Sequence, residues 1–542
     1  MQDEFVAFLY LFFKTVNSPA RKKSSLSGTL PLDEKRSGTK DFRAMPENPS
    51  AGVFPQPSMG ILSYAQAMNC FKKKRIIKET TFMRKLIGTK DFYKKVLYIS
   101  IPIMIQNGIT NFVSMLDNIM VGQIGTDQMS GVAIVNQLMF VFNICIFGGI
   151  SGSGIFTAQF YGKGDREGLQ NTFRFKIYTC EILTTLAIAI FGVADDFLIS
   201  LYLHEGSEVG NLALTLTCGK EYLAIMLIGL VPFAISQIYA STLRECGETI
   251  LPMIGGVAAV LVNLGLNYIL IFGNFGAPRL GANGAAVATV ISRFVEMGIV
   301  VIWTHAKKAK YTFIQGIYKS MRISGELVRI ILVKGLPLMA NEIFWAVGMA
   351  VIAQCYAYRG LAVVAAQNIT STIANVFNIV YIALGSSVSI IVGQLLGAGR
   401  KEEAKEKDAQ LIAFAVASCT LVAVFMACFS KVFPEVYNTE QQVKDLATAL
   451  ILVSTLVMPL QAFTHASYFT LRSGGKTWIT FLFDSVFVWV IVVPVAYILS
   501  RFTTIGIIQV YLLVQATELV KCIIGFFMVR SGIWLQNIVD EL

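Results

Sequence analysis

Twelve long apolar runs constrain this chain more than anything else in it. They lie at 96–121, 131–160, 174–202, 214–242, 250–273, 281–304, 332–357, 363–395, 409–431, 446–470, 477–499 and 504–529. A helix that crosses a bilayer needs about 20 mainly apolar residues, and each run reaches that length. Spanning strands would alternate apolar and polar residues over about 10 positions, and these runs do not alternate. Only 15% of the 542 residues are charged, while 55% are hydrophobic. That leaves too little polar surface for a soluble fold of this size, and too many apolar residues for a disordered chain. The sequence predicts an all-α membrane protein.

The loops set the orientation. With the N-terminus placed inside, the loops on that side carry 18 Lys and Arg, against 6 on the other. Basic residues collect on the cytoplasmic side, so both termini are expected there, in the cell (inner) membrane. The net charge of +11 belongs to these loops and does not call for a nucleic-acid partner. None of the nine cysteines forms a Cys-x-x-Cys pair, and most sit in apolar runs as free thiols. Residues 1–82 read as a disordered or mis-assigned N-terminal extension. Phe5–Phe13 is too short to span, Asp3 and Glu4 are wrong for a signal peptide, and Met83 with its basic flank offers a later start.

The chain also repeats. At an offset of about 235 residues, Pro102 meets Pro337, Val141-Phe142-Asn143 meets Val376-Phe377-Asn378, and Gln159-x-x-Gly162-x-Gly164 meets Gln394-x-x-Gly397-x-Gly399. At a slightly shorter offset, Leu243-Arg244-x-x-Gly247 meets Leu471-Arg472-x-x-Gly475. Six helices per repeat is an even number, so both halves enter the membrane from the same side. Parallel repeats of this kind leave a cleft between two lobes, where transport sites lie. The expected organisation is an N-lobe over 83–304 (helices 1–6), a basic cytoplasmic linker over 305–331 and a C-lobe over 332–542 (helices 7–12).

Polar residues form stripes inside the apolar helices. On the first helix Gln106, Asn107, Thr110, Asn111, Ser114, Asp117 and Asn118 fall within about 140° of arc. A single Asn in a bundle is ordinarily an interhelical hydrogen-bonder; seven polar groups on one face read as a cavity wall. Asn136 on the second helix, and Gln367 and Asn375 on the eighth, extend the candidate cavity, and Asn263 and Asn267 share a face of the fifth. Charges inside the membrane are costlier, about 2.5–3.5 kcal/mol at mid-helix. Arg293 with Glu296, and Glu518 with Lys521, have i,i+3 partners, and Asp484 lies close enough to the inner boundary to be solvated or to cap a helix. Asp117 and Glu342 have no basic residue within four positions, which makes them the candidate functional acids. Trp345, at i+3 from Glu342, adds a ring face for a cation.

Other chemistry is missing from the sequence. It has no P-loop, no His-Glu-x-x-His and only three scattered histidines, His204, His305 and His465. The chain is expected not to be an enzyme and to use no cofactor.

These features resemble the MATE family, the multidrug and toxic compound extrusion transporters, over about residues 83–540. The landmarks are Asp117-x-x-x-Val121-Gly122-x-x-Gly125, the two repeated motifs above, Asn263-x-x-x-Asn267 with Phe272-Gly273, and Leu280-Gly281-x-x-Gly284-Ala285-Ala286-x-Ala288-Thr289. The resemblance implies export of small lipophilic, mostly cationic compounds in exchange for Na⁺ or H⁺. It places the cation site, and any bound Na⁺, at Asp117, Asn263, Asn267 and Thr289. Asn267 departs from the family pattern, which often has Asp there, so the coupling ion stays open. Partners are expected to be the transported compounds and membrane lipid, with the protein a monomer. A flippase for lipid-linked sugars in the same superfamily is an alternative. A major-facilitator transporter is another, although Gly162–Gly168 lacks that fold's spacing and trailing arginines.

Overall fold

The computed structural model describes residues 86–202, 212–540 and 542. The extension at 1–82 and His204 lie outside the described residues. Among those described, twelve helices are long and apolar enough to cross a membrane, and none of the rest is strand. They are α1 Lys90–Gly122, α2 Thr126–Lys163, α3 Arg166–Val193, α4 Leu212–Glu245, α5 Ile250–Phe272, α6 Ala282–Ala306, α7 Gly325–Ala357, α8 Leu361–Gly397, α9 Lys401–Phe429, α10 Gln441–Ser473, α11 Thr477–Phe502 and α12 Ile507–Ser531.

Local chemistry sets the boundaries. The Thr89 hydroxyl caps α1 by accepting the Phe92 N–H at 3.3 Å, and Asp165 caps α3 by accepting the Gly168 N–H at 2.9 Å. Gly164 and Gly399 end α2 and α8 with φ of 77° and 74°, a left-handed turn that favours glycine. Pro102, Pro232, Pro337 and Pro459 stand inside α1, α4, α7 and α10, so both proline positions recur in the second half.

Two elements depart from expectation. The third run stops at Val193, and a separate short helix, Asp195–Ser200, follows a bend. Within α11, Leu482–Val486 and Val488–Val492 are π-helical. The linker docks on α3: Arg166 and Gln170 each donate to the Gln315 carbonyl at 2.7 Å, Tyr178 donates to that of Met321 at 3.0 Å, and Phe313, Ile314 and Ile317 are buried.

In the first six helices, α4 packs on α2 and α6, and α5 on α6; in the last six, α10 packs on α8, α9 and α12. The two sets meet through α1, α2, α7 and α8. Their closest approaches pair Gly148 with Met339, Gly152 with Gly335, Gly162 with Gln394 and Gly397 with Gln159. All involve the C-terminal halves of α2 and α8 and the N-terminal half of α7, so they lie at the end of the bundle where α1 and α7 begin. Phe92, Val96, Ile99 and Ile103 of α1 join one core with Leu384, Val388 and Ile391 of α8 at the same end. Towards the other end, Thr110, Ser114, Asn136 and Asn375 are exposed. Two six-helix halves thus surround a central cleft that is shut at one end.

Candidate functional site

Asp117 stands in the last third of α1. Asn263 and Asn267 occupy successive turns on the buried face of α5, and α6 brings Thr289 opposite them. The α5–α6 hairpin is tight because residue 284 is glycine: a methyl there would sit 2.6 Å from the Leu270 carbonyl oxygen. That approach puts Thr289 within reach of Asn263.

The four side chains form one cluster. Asn267 Nδ2 donates to Asp117 Oδ1 at 2.6 Å and to Asn263 Oδ1 at 3.2 Å, and Asn263 Nδ2 donates to Thr289 Oγ1 at 3.1 Å. In this rotamer the Asn263 amide oxygen faces both carboxylate oxygens of Asp117. Turned over, the Asn263 amide nitrogen donates to both at 3.1 Å, and its oxygen accepts from Thr289 at 3.1 Å. The same amide can therefore offer the carboxylate a proton donor or add an oxygen to an all-oxygen nest. Asn267 Oδ1 is buried without a hydrogen-bond partner among the described residues, which leaves one more acceptor at the cluster. Hard oxygen donors of this kind suit a small hard cation. Among the described residues no group of three or more His, Cys, Asp or Glu forms a metal centre, and Asp117 has no salt-bridge partner. One turn along α6, Arg293 pairs with Glu296 at 3.2 Å and lies over the Phe233 ring at 4.9 Å.

The remaining candidates are dispersed. Gln106 accepts from Arg244 Nη2 at 2.9 Å and so belongs to a polar contact inside the first half. Thr110, Ser114, Asn136 and Asn375 are exposed towards the open end, and Gln367 has a buried Oε1 without a partner among the described residues. Glu342 accepts from the Tyr468 hydroxyl at 3.4 Å. Trp345 is 41% exposed, and among the described residues no ring or hydrogen-bond contact joins it to Glu342.

The second half holds a polar network that helix spacing did not reveal. Lys521 pairs with Asp484 at 2.7 Å rather than with Glu518, which accepts instead from Thr464 at 3.1 Å. Asp484 is therefore ion-paired, not solvated or capping. Asn341 donates to Asp484 at 3.0 Å and accepts from the Ser485 hydroxyl at 2.7 Å. The partners sit on α7, α11 and α12, so their spacing in sequence carries no signal. The π-helical turn at Leu482–Val486 contains both Asp484 and Ser485, and such turns often mark functional positions.

The MatE family profile matches residues 102–269 and 337–498, one segment in each half, at the offset of the internal repeat. The chain belongs to the MatE family. It is a multi-pass membrane transporter and not an enzyme. Among similar proteins, the probable multidrug resistance protein NorM of Thermotoga maritima is 24% identical over 451 residues, covering 82% of this chain and 94% of that one. The protein of the same name from Halalkalibacterium halodurans is 26% identical over 419 residues, covering 76% and 88%. A solved structure described as the outward-facing conformation of a multidrug resistance MATE family transporter superposes with a TM-score of 0.74 at 20% identity, covering 83% of this chain and 97% of that one. A MOP superfamily transporter from Pyrococcus furiosus gives 0.72 at 19% identity, covering 83% and 97%. These structures share the fold.

Proposed function

We propose that this MatE protein exports small lipophilic, mostly cationic compounds in exchange for Na⁺ or H⁺, by alternating access of its two halves. Those halves span 83–304 and 332–542, joined by the linker 305–331. The monomer sits in the cell membrane with both termini cytoplasmic, as the loop charges favour.

The observation that carries this reading is the carboxylate of Asp117 inside the membrane, clustered with Asn263, Asn267 and Thr289 and without a salt-bridge partner among the described residues. A charge held there is expensive unless a counterion or a proton neutralises it. With the cleft open away from the termini, an external cation or proton reaches Asp117 through it. With the opposite end open, a cationic compound competes for the same negative charge. Exchange follows because each ligand lowers the affinity for the other. Neutral and acidic groups along the cleft favour cationic cargo over the anionic carrier of a lipid-linked sugar. Glu342 is assigned to the cargo side, where its carboxylate selects cations.

Uptake of a fluorescent organic cation into proteoliposomes, driven separately by a Na⁺ and a pH gradient, tests the proposal. Accumulation under at least one gradient is expected. Accumulation under neither, by correctly inserted protein, contradicts it.

A further inference from the structure

The repeated Gln-x-x-Gly-x-Gly motif has no part in the chemistry at Asp117, yet it sits at the closest contact between the halves. Gln159, fully buried near the end of α2, donates through Nε2 to the Ser473 carbonyl at 2.9 Å. Gln394, its counterpart on α8, donates to the Glu245 carbonyl at 2.8 Å. Ser473 follows Arg472 and Glu245 follows Arg244, so each glutamine reaches the same point of the other half's Leu-Arg-x-x-Gly motif. The glycines are exchanged in the same way: a methyl at Gly162 would land on the Gln394 carbonyl, and one at Gly397 on that of Gln159.

The symmetry breaks on one side. Gln159 also donates to the Gln536 carbonyl at 3.2 Å, and its Oε1 accepts the Ile538 N–H at 2.8 Å. This C-terminal segment is anchored in both halves. Trp534 is buried in a core built mainly from the second, and Val539 in the core of the first. Lys163 donates to the Val539 carbonyl at 2.7 Å, and Asn537 to that of Gly397 at 3.3 Å.

We propose that Gln159 and Gln394 are paired bolts of a gate at the terminal-bearing end of the transporter, and that residues 533–540 strap that gate on the Gln159 side. The proposal rests on the alternating-access reading, in which this end must open once per cycle, but none of its contacts involves Asp117. The two bolts differ in strength: among the described residues Gln394 makes one side-chain hydrogen bond across the gate, whereas Gln159 makes three, two of them to the strap.

The test is a spin-label distance across the gate in the full-length protein in nanodiscs, with no gradient applied. The labels go on Glu167 and Lys401, both exposed and on opposite halves, through a bio-orthogonal amino acid. Wild type should give mainly one short distance. Gln394→Ala should raise the ratio of long to short distances about fivefold, the worth of one hydrogen bond. Ile538→Pro, which removes the N–H that Gln159 accepts together with the packed isoleucine side chain, should raise it at least as much. Gln159→Ala should raise it further. An unchanged distribution in folded Gln159→Ala protein overturns the proposal; if that variant does not fold, unchanged distributions in the other two do so. Repeating the set on Asp117→Asn separates the readings, because the gate shifts should persist there whether or not Asp117 couples transport.

Discussion

Asp117 and Asp484 are both carboxylates inside apolar helices, and their partners set them apart. Asp484 has a permanent cation in Lys521 at 2.7 Å, whereas the hydrogen-bond partners of Asp117 among the described residues are the amides of Asn267 and Asn263. Removing one member of a buried pair strands the other, at about 3–5 kcal/mol. Lys521→Met is therefore expected to lower the thermal midpoint strongly, and adding Asp484→Asn should restore most of the loss. A midpoint unmoved by Lys521→Met would show that the pair contributes nothing. Glu342→Gln should express normally and lose efflux of cations more than of neutral compounds; equal loss for both would assign Glu342 a general role. The Asp117 cluster was legible in the sequence because Asn263 and Asn267 lie one turn apart and the family motif supplies the rest. The Asp484–Lys521 pair was not, since its members meet only once α11 and α12 pack.

At the scale of elements, the positions of all twelve spans follow from apolar length, because a bilayer imposes a minimum run and a helix is the only open-ended element that satisfies its own backbone there. The π-helical turns of α11 had no such signature: Leu482–Val492 is as apolar as the regular helices around it, apart from Asp484 and Ser485. The linker is basic and polar in sequence, yet buried apolar side chains, among them Phe313, Ile314 and Ile317, dock it on the first half. The α5–α6 hairpin gives a sharp prediction. Gly284→Val must push α6 away from the Leu270 carbonyl, at about 1–3 kcal/mol, and should lower both the thermal midpoint and transport. Gly298→Ala on the same helix meets nothing within 4 Å and should be neutral or slightly stabilising. Equal effects for the two substitutions would mean that the close approach does not position Thr289.

For the whole molecule, the internal repeat showed that two halves exist, and the cleft between them follows from that. Which end is shut was hidden, because it depends on glycine contacts between α2, α7 and α8 that no single helix reveals. The family match begins at residue 102, so deleting residues 1–82 should leave insertion and transport intact. Loss of both would show that the extension belongs to the functional protein. The central claim is that Asp117 is the charge tying ion entry to cargo exit, and the most direct measurement is concentrative transport by Asp117→Asn in proteoliposomes under Na⁺ and pH gradients. The substitution is nearly isosteric, so the variant should insert at near-normal amounts and fail to accumulate the organic cation under either gradient. Accumulation at the wild-type rate under both would contradict the account and leave Asp117 a packing residue.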